Sequence, residues 1–567
     1  MPPPREAAVR GLMQDVGLTL QMVTERVGEL YGDKTVATKT AEGIRRRTYT
    51  EVVGRVTRLA AALAKLGIQP GDRVGTFAWN SDRHLELYLA VPCMGAVLHT
   101  LNPRLPPDQI GYIAEHAGDS LIFVDASVSP AWQQVPAVSG IRAVVVMDDV
   151  SERGQDGAAV LPGAVDYEDL LASGAGSFAW PRLDEGDAAA MCYTSGTTGL
   201  PRGVVYSHRS SVLHAMASLF VDSLALSERD VLLPIVPQFH VNAWGTPYAA
   251  LLTGASLALP GRFMADPPSL ATLVAEEGVT VSAAVPTVWF AVLQAIRAGD
   301  VDPAKLSSLQ RIVCGGSAVP EALLRGFDEL GIRMIQAWGM TETSPLGTVA
   351  TVKSTLAEDR ILPARLSQGI PVPSLRVRVV TDDEQVAAWD GSTMGELHIN
   401  GPWIADAYYD PQAPRGRGGQ DRFTEDESGR RWLKTGDVAV IDPDGYVRLL
   451  DRTKDLVKSG GEWISTVELE NLLIAHDKVR EAAVIAVAHP KWGERPLACV
   501  VKADDSVTSE ELLAHLGRHV ASWQVPDEVV FVDEVPKTSV GKFDKKVLRK
   551  RYGEHQLSSD HAELPPA

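Results

Sequence analysis

The segment that decides the interpretation of this chain is Tyr193-Thr194-Ser195-Gly196-Thr197-Thr198-Gly199-Leu200-Pro201-Arg202-Gly203. It lies between two short apolar runs, 188–192 and 204–206, and is therefore predicted to join two strands. Four hydroxyl side chains and three glycines within eleven residues cannot build a hydrophobic core. They can present backbone N–H groups and side-chain donors to a phosphate group, as anion-binding nests do. A bare surface loop remains the alternative interpretation of this composition.

Other motifs for phosphate binding and hydrolysis do not occur in the sequence. The chain contains no GxxxxGK[ST] Walker loop, so the segment belongs to a different class of phosphate-binding loop. It also contains neither a GxSxG elbow nor an HExxH motif. Serine-hydrolase and zinc-protease interpretations therefore lack their nucleophile or their metal ligands.

The composition indicates a globular protein with more than one core. Its 567 residues exceed one ordinary domain, and 45% hydrophobic with 22% charged residues is typical globular composition. A net charge of -18 argues against a nucleic-acid partner. Four widely spaced cysteines without a CxxC pair predict isolated buried thiols and a reducing compartment, so we expect a cytoplasmic protein.

No segment is predicted to cross a membrane. The N-terminus lacks the apolar core of a signal peptide. The uncharged stretch 231–261 is long enough to span a bilayer, but prolines and polar side chains interrupt it. We interpret this stretch as a strand, a loop and a helix that pass through a protein core.

The order of apolar patterns predicts two domains. Helix and strand signals alternate up to about residue 450, beginning with a capping-box spacing at Thr48 and Glu51, so residues 1–450 are predicted to form a large α/β domain of layered sheets and helices. A charged run at 451–456 is predicted to be a hinge, and 457–552 to form a small, mobile α+β domain. The polar tail, 553–567, is predicted to be disordered.

Further motifs follow the first segment and together carry a family resemblance. The chain resembles the adenylate-forming superfamily, which includes acyl-CoA synthetases, luciferases and the adenylation domains of peptide synthetases. The motifs occur in the order of that superfamily: Gly315-Gly316-Ser317-Ala318, Gln336-Ala337-Trp338-Gly339-Met340-Thr341-Glu342-Thr343, Lys434-Thr435-Gly436-Asp437, Asp451-Arg452-Thr453-Lys454-Asp455 and Pro536-Lys537-Thr538-Ser539-Val540-Gly541-Lys542.

Within the superfamily, three other segments are most similar to bacterial medium- and long-chain fatty acyl-CoA ligases. They are Phe239-His240-Val241-Asn242-Ala243-Trp244, Val285-Pro286-Thr287-Val288-Trp289 and Lys458-Ser459-Gly460-Gly461-Glu462-Trp463. The resemblance implies activation of a carboxylic acid by ATP and Mg²⁺ to an acyl-adenylate, with release of pyrophosphate, and then thioester formation with coenzyme A. The acid, ATP and CoA are the expected partners, and a homodimer is left open.

The resemblance implies catalytic roles for Lys542, Glu342 and His240. Lys542 is expected to reach across the domain gap to the acid and to the α-phosphate. Glu342 and the hydroxyl of Thr194 offer the hard oxygen ligands that Mg²⁺ prefers. His240 and Trp289 resemble the gate between the nucleotide and an acyl tunnel, although a hydrogen-bonded core histidine is the alternative for His240.

The resemblance also implies binding roles. Asp437 and Arg452 are expected at the ribose, and Trp338 at the adenine. Lys454 is expected to be the hinge residue as well as a nucleotide contact. The pantetheine of CoA is expected to contact Lys458, Gly460, Gly461 and Trp463. The remaining nucleotide-binding candidates are Ser195, Gly196, Thr197, Thr198, Gly199, Arg202, Gly316, Ser317, Gln336, Ala337, Gly339 and Thr341.

Three residues depart from the pattern of the superfamily. Arg202 replaces the usual lysine, Trp338 the common tyrosine, and Ala337 the glycine common among fatty acyl ligases. These changes weaken any assignment of chain length. They keep open an aromatic or other specialised acid, and a carrier protein or another acceptor instead of CoA. A non-catalytic protein that binds acyl groups or nucleotides is disfavoured, because Lys542, Glu342 and Asp437 are all present.

Overall fold

The computed structural model describes residues 11–148, 161–194, 200–460, 462–538, 541–553 and 555. In these ranges the strands, in chain order, are β1 Thr35–Lys39, β2 Ile44–Thr48, β3 Arg73–Phe77, β4 Val97–Thr100, β5 Asp119–Asp125, β6 Val144–Met147, β7 Val165–Asp166, β8 Ala188–Tyr193, β9 Gly203–Ser207, β10 Val231–Pro234, β11 Ser256–Leu259, β12 Val281–Ala284, β13 Arg311–Gly315, β14 Arg333–Gly339, β15 Leu346–Val349, β16 Ile370–Pro371, β17 Arg376–Val380, β18 Gly395–Asn400, β19 Tyr408–Tyr409, β20 Arg417–Gly418, β21 Phe423–Glu425, β22 Arg431–Ile441, β23 Val447–Arg452, β24 Val457–Ser459, β25 Glu462–Ile464, β26 Val479–His489, β27 Gly493–Lys502 and β28 Glu528–Phe531.

The helices alternate with these strands, as the sequence predicted. They are α1 Leu20–Leu30, α2 Tyr49–Lys65, α3 Asp82–Cys93, α4 Pro107–Ala117, α5 Ser129–Trp132, α6 Tyr167–Ser173, α7 His208–Leu219, α8 Val241–Trp244, α9 Thr246–Thr253, α10 Pro267–Glu277, α11 Pro286–Ala298, α12 Glu321–Glu329, α13 Glu358–Leu366, α14 Thr466–Ile474, α15 Ser509–Leu516 and α16 Lys545–Tyr552. The capping box at Thr48 and Glu51 is confirmed at the start of α2. None of the described helices is long and apolar enough to cross a bilayer.

The strands of the described residues form four sheets. Two nine-stranded sheets have the orders β16-β15-β14-β13-β12-β10-β11-β1-β2 and β20-β19-β9-β8-β4-β3-β5-β6-β7. A third sheet, β17-β18-β22-β21, also carries β23 on β22. The fourth sheet contains β24 to β28. The architecture is therefore the predicted large N-terminal α/β domain followed by a small C-terminal domain.

Parallel pairing in the centre of the first two sheets positions the candidate site. Strands β10, β12, β13 and β14 run parallel to one another, and so do β4, β3 and β5. Strand β8 is parallel to β4 but antiparallel to β9, so the chain reverses between Thr194 and Arg202. The carboxyl ends of parallel strands lie at one edge of a sheet, where α/β proteins bind their ligands.

Hydrophobic clusters lie on both sides of the charged run 451–456. The largest cluster is shared by the first two sheets and their helices and ends, along the chain, at Val447. Two clusters of the C-terminal domain begin at Val457 and Ala483. Strand β23 extends to Arg452, so the charged run begins inside a strand rather than after it. The domain boundaries and the hinge at 451–456 stay predictions.

The cysteines are free and buried, as expected from their spacing. Cys192 is at the end of β8, and its thiol donates a hydrogen bond to Oδ1 of Asn242 at 3.0 Å. Burial raises the pKa of this thiol to about 11, so it stays protonated at neutral pH.

Candidate active site

The carboxyl ends of β13 and β14 form the floor of the candidate site. Gly315 pairs with Ala337 across these strands, and a Cβ on Gly315 would lie 2.6 Å from the carbonyl oxygen of Ala337. Gly316, the next residue, has a φ of +90°, which only glycine adopts without strain. The glycine pair therefore lets the chain leave the strand and bring its backbone close to a ligand.

Lys542 reaches this floor from the C-terminal domain. Its Cε lies 3.4 Å from the position that a Cβ on Gly316 would occupy. The hydroxyl of Thr287, at the start of α11, donates to the carbonyl of Gly541 at 3.3 Å. Within the loop, the N–H of Lys542 donates to Oγ1 of Thr538 at 3.1 Å. The two domains thus meet at the residue expected to act in catalysis.

The pKa of Lys542 shows which charges surround it. Burial, and after it the charge of Arg452, lowers the pKa of Lys542 to about 8, while Asp437 and Glu342 act in the opposite direction. Four residues predicted from distant motifs are therefore close enough to influence one another electrostatically. Such a cluster of charges around a lysine with a shifted pKa is typical of an active site.

Asp437 is held by two of its predicted neighbours. The indole Nε1 of Trp338 donates to Oδ2 of Asp437 at 3.0 Å. Nε of Arg452 lies 3.4 Å from Oδ1, and the two residues are paired across β22 and β23. Asp437 and Trp338 are both buried, so the carboxylate is fixed before a ligand arrives. This hydrogen bond involves the edge of the indole ring, so the face of the ring stays available. Adenine stacking on that face remains a prediction.

Glu342 is joined to the predicted phosphate-binding segment through Tyr408. The hydroxyl of Tyr408 donates to Oε1 of Glu342 at 2.5 Å. The guanidinium of Arg202 lies over the ring of Tyr408, 5.1 Å from its centroid. The carbonyl of Arg202 accepts a hydrogen bond from the N–H of Thr194 at 2.9 Å, which closes the base of the segment. The sequence analysis missed Tyr408, because a lone tyrosine in a short strand carries no motif.

His240 precedes a strained turn. All four residues of α8 have positive φ values, between 46° and 59°, so the turn is left-handed although none of the four is glycine. Such backbone costs free energy and is found mainly at functional sites. Burial, with a smaller contribution from Lys542, lowers the pKa of His240 to about 3. His240 is therefore near Lys542 and uncharged at neutral pH.

Four other predicted nucleotide contacts lie along the same edge. Gly339 passes so close to the carbonyl of Pro345 that a Cβ there would clash. Thr341 is buried, and its carbonyl accepts from the hydroxyl of Tyr206 at 2.8 Å. Ser317 is exposed beside Gly316, and Ala337 lies in β14 opposite Gly315.

The side chains of Gln336 and Trp289 have other partners in this structure. The amide of Gln336 accepts from the N–H of Val319 at 2.7 Å and donates to the carbonyls of Leu366 and Ser367 at 3.3 and 2.7 Å. Both of its N–H donors are thus used by the backbone, which gives it a structural role at this edge. Trp289 packs in a hydrophobic cluster, edge-on to Phe327 at a centroid distance of 5.5 Å.

The predicted CoA contacts form a separate group on the hairpin of β24 and β25. Lys458 pairs with Trp463, and its ammonium lies 4.9 Å from the centroid of that ring. Gly460 has a φ of +61° in the turn between the strands. Lys454 is exposed in the connection between β23 and β24. Ser195, Gly196, Thr197, Thr198, Gly199 and Gly461 lie outside the described residues.

Two families of known proteins match this chain. The family described as AMP-binding enzyme matches residues 24–409, and the AMP-binding enzyme C-terminal domain matches residues 468–542. The second match ends at Lys542, the residue that enters the site from the C-terminal domain.

Curated relatives align over nearly the whole chain. A long-chain-fatty-acid–CoA ligase of Thermus thermophilus is 45% identical over 558 residues, covering 97% of this chain and 98% of the relative. A medium-chain-fatty-acid–CoA ligase of Ectopseudomonas oleovorans is 43% identical, with the same coverage. Among solved structures, ATP-bound MatB from Rhodopseudomonas palustris matches with a TM-score of 0.78 and 26% identity, over 94% of this chain and 99% of that one.

Proposed function

This chain belongs to the family of AMP-binding enzymes, and we propose on that basis that it is an AMP-forming acid–thiol ligase acting on fatty acids. It activates a carboxylic acid with ATP and transfers the acyl group to coenzyme A. The relatives named as fatty acid ligases support the substrate class. A cytoplasmic location and a homodimer stay predictions.

The observation that carries the proposal is the position of Lys542. It enters the site from the C-terminal domain, where the charges of Asp437 and Glu342 of the N-terminal domain act on it. In adenylation, a carboxylate oxygen of the acid attacks the α-phosphorus of ATP, and the bond to the bridging oxygen of the leaving pyrophosphate breaks. Both reactants are anions, so an ammonium at this point lowers the barrier by offsetting their charge.

The residues around Glu342 fit a Mg²⁺ ion. Carboxylate and hydroxyl oxygens are the hard ligands that Mg²⁺ takes, and Glu342 and Thr194 offer one of each. The hydroxyl of Tyr408 occupies Oε1 of Glu342 and fixes the carboxylate. Bound there, Mg²⁺ would neutralise phosphate charge and orient the leaving pyrophosphate.

In the second step, the sulfur of CoA attacks the acyl carbonyl and the bond to the AMP oxygen breaks. AMP leaves with the electron pair, and the thiol proton passes to solvent. His240, with its pKa lowered to about 3, is too weak a base to take that proton at neutral pH. We therefore assign His240 a role in orienting the acyl carboxyl group by hydrogen bonding.

The chemistry around Phe239 favours an apolar acid over an amino acid. No residue from 231 to 261 carries a formal charge. The guanidinium of Arg104 lies over the ring of Phe239, 5.7 Å from its centroid. A substrate ammonium near this ring would meet the like charge of Arg104 and would find no carboxylate within residues 231–261, and a buried ammonium without a partner costs several kcal/mol.

A panel of acids tests the substrate class. Each methylene buried gains about 0.8 kcal/mol, which corresponds to about a fourfold rise in kcat/KM per methylene until the tunnel ends. Saturated acids of increasing length are compared with benzoate, cinnamate and amino acids, each with ATP, Mg²⁺ and CoA, by following AMP release. If an aromatic acid exceeds every alkyl acid by a large factor, the fatty acid assignment is wrong while the ligase assignment stands.

A further inference from the structure

A cluster of two buried and two half-buried polar side chains adjoins the predicted phosphate-binding segment and has no part in the mechanism above. It is formed by Tyr193, the last residue of β8, with His99 of β4, Asp119 of β5 and His116 of α4. Tyr193 directly precedes Thr194, so whatever fixes the tyrosine also fixes the point at which the chain enters residues 195–199. The cluster is therefore placed to support the entry of the chain into this segment.

The ring of Tyr193 spans both ends of the segment. Tyr193 pairs with Gly203 across β8 and β9. A Cβ on Gly203 would lie 3.0 Å from Cζ of the tyrosine ring, so the ring occupies the space that a side chain would need. The hydrogen bond from Thr194 to Arg202 lies one residue further along. One aromatic ring thus packs across the entry and the exit of the segment.

The hydroxyl of Tyr193 is fixed from the other side. It is hydrogen-bonded to Nδ1 of His116 at 2.7 Å. The imidazole of His116 also lies edge-on to Tyr193 and to Tyr409, with centroid distances of 5.8 and 5.7 Å. Tyr409 pairs with Gly203 in the same sheet. The hydroxyl and the ring are therefore held by separate contacts.

Beneath the ring lies a buried, hydrogen-bonded pair of His99 and Asp119. Nδ1 of His99 donates to the carboxylate of Asp119, with its two oxygens at 2.8 and 2.9 Å. Both residues are fully buried, and the ring of His99 lies 5.2 Å from that of Tyr193. Nε2 of His99 has no hydrogen-bond partner among the described residues. A buried hydrogen-bonded pair holds its two side chains in one relative orientation, as a support for the neighbouring ring requires.

We propose that Tyr193 is a positioning residue for adenylation, with the His99–Asp119 pair setting the plane of its ring and His116 fixing its hydroxyl. The inference rests on the proposed function. Fixing both ends of the segment places Thr194 and Arg202 for the β- and γ-phosphates of ATP. Pyrophosphate has left before thioester formation begins, so the second half-reaction does not need this support.

The first experiment compares Tyr193→Leu with Tyr193→Phe. Losing the ring should weaken ATP binding, measured by calorimetry without acid, and lower acid-dependent pyrophosphate exchange by about a hundredfold, the effect of roughly 1 Å of misplacement. Tyr193→Phe keeps the ring and loses one hydrogen bond, so it should lose about three- to tenfold. Thioester formation from supplied acyl-adenylate and CoA should stay at the wild-type rate in both variants.

A matched control is Tyr167→Phe, which removes a buried tyrosine hydroxyl bonded to Glu86 at 2.6 Å rather than to a member of the cluster. It should leave ATP affinity unchanged. The double variant His99→Phe with Asp119→Leu fills the volume of the pair without charge, so it should fold with an undiminished melting temperature and still bind ATP more weakly. If that variant bound ATP with wild-type affinity, the His99–Asp119 pair would have no role in positioning Tyr193.

Two outcomes would overturn the whole inference. One is unchanged ATP affinity and exchange in a folded Tyr193→Leu protein. The other is an equal loss of both half-reactions, which would indicate a general structural role. Failure of the proposed function is distinguishable, because the wild-type protein would then show no exchange with any acid while ATP calorimetry still reports on Tyr193.

Discussion

The loop of Lys542 and the hairpin of β24 and β25 belong to the same small domain but differ in their surroundings. Lys542 is enclosed against Gly316 and faces Asp437 and Glu342 of the other domain. Lys458 lies at the surface, stacked on Trp463 of its own hairpin. In this arrangement of the domains, the residue expected in adenylation is enclosed at the site, and Lys458 of the hairpin is exposed. The family resemblance implies that the two half-reactions use different arrangements of the small domain, and this remains a prediction that the difference supports.

The largest expected effect on one half-reaction alone comes from Lys542→Ala. Removing the ammonium should lower acid-dependent pyrophosphate exchange by about a thousandfold, since one group that stabilises developing charge is worth 10²–10³ in rate. Supplied acyl-adenylate and CoA should still give thioester at nearly the wild-type rate, measured by rapid quench. Lys546→Ala, an exposed lysine four residues away, is the control. Normal exchange in Lys542→Ala would remove the catalytic assignment.

A change at the hinge should separate the two arrangements. Lys454→Pro fixes φ and removes a backbone donor in the connection between β23 and β24. We expect exchange to stay within a few-fold of wild type, and thioester formation to fall by about a hundredfold or more, because the second arrangement is no longer reached. Lys454→Ala keeps the backbone free and removes only the side chain expected at the nucleotide, so it should not slow thioester formation selectively. Equal loss of both half-reactions in Lys454→Pro would indicate misfolding instead.

Much of this comparison was predictable from local patterns. The composition of 193–203 indicated a connection between two strands, and β8 and β9 lie where the apolar runs placed them. Glycines and capping residues act on their own neighbours, so the capping box of α2 could be predicted from Thr48 and Glu51. The family resemblance supplied the order of the distant motifs.

The contacts between distant segments could not be predicted. The bond from Tyr408 to Glu342 joins residues 66 apart in the chain, and the bond from Thr287 to Gly541 joins residues 254 apart. Gln336 looked like a ligand residue because it stands inside a motif, yet tertiary packing directs its amide to the backbone. The left-handed turn after His240 contains no glycine, so there was no sign in the sequence from which it could be predicted.

A pH profile sharpens the contrast between the two half-reactions. The pKa of Lys542 is lowered to about 8, so the ammonium is present below that pH and lost as the pH rises through it. The kcat/KM of exchange for ATP reports the free enzyme, and it should fall about tenfold per pH unit above 8. His240, with a pKa of about 3, adds no change between pH 5 and 8. Thioester formation from supplied acyl-adenylate should lack the alkaline decline, and an identical decline in both reactions would assign it to another group.

The smallest expected effect is that of a change at Trp463, in the hairpin of β24 and β25. Its ring supports the ammonium of Lys458 in the present arrangement, and the resemblance places the pair beside the pantetheine channel in the other. Trp463→Ala removes a cation–π contact and an apolar face, together worth about 1 kcal/mol at an exposed site, so KM for CoA should rise about fivefold. Pyrophosphate exchange needs no CoA and should stay unchanged. Trp389→Ala, at a tryptophan 48% exposed on the N-terminal domain, controls for loss of a surface indole and should alter neither reaction. If Trp463→Ala slowed exchange instead of raising KM for CoA, the hairpin would belong to the adenylation site. The Lys542 loop and the hairpin would then not serve separate half-reactions.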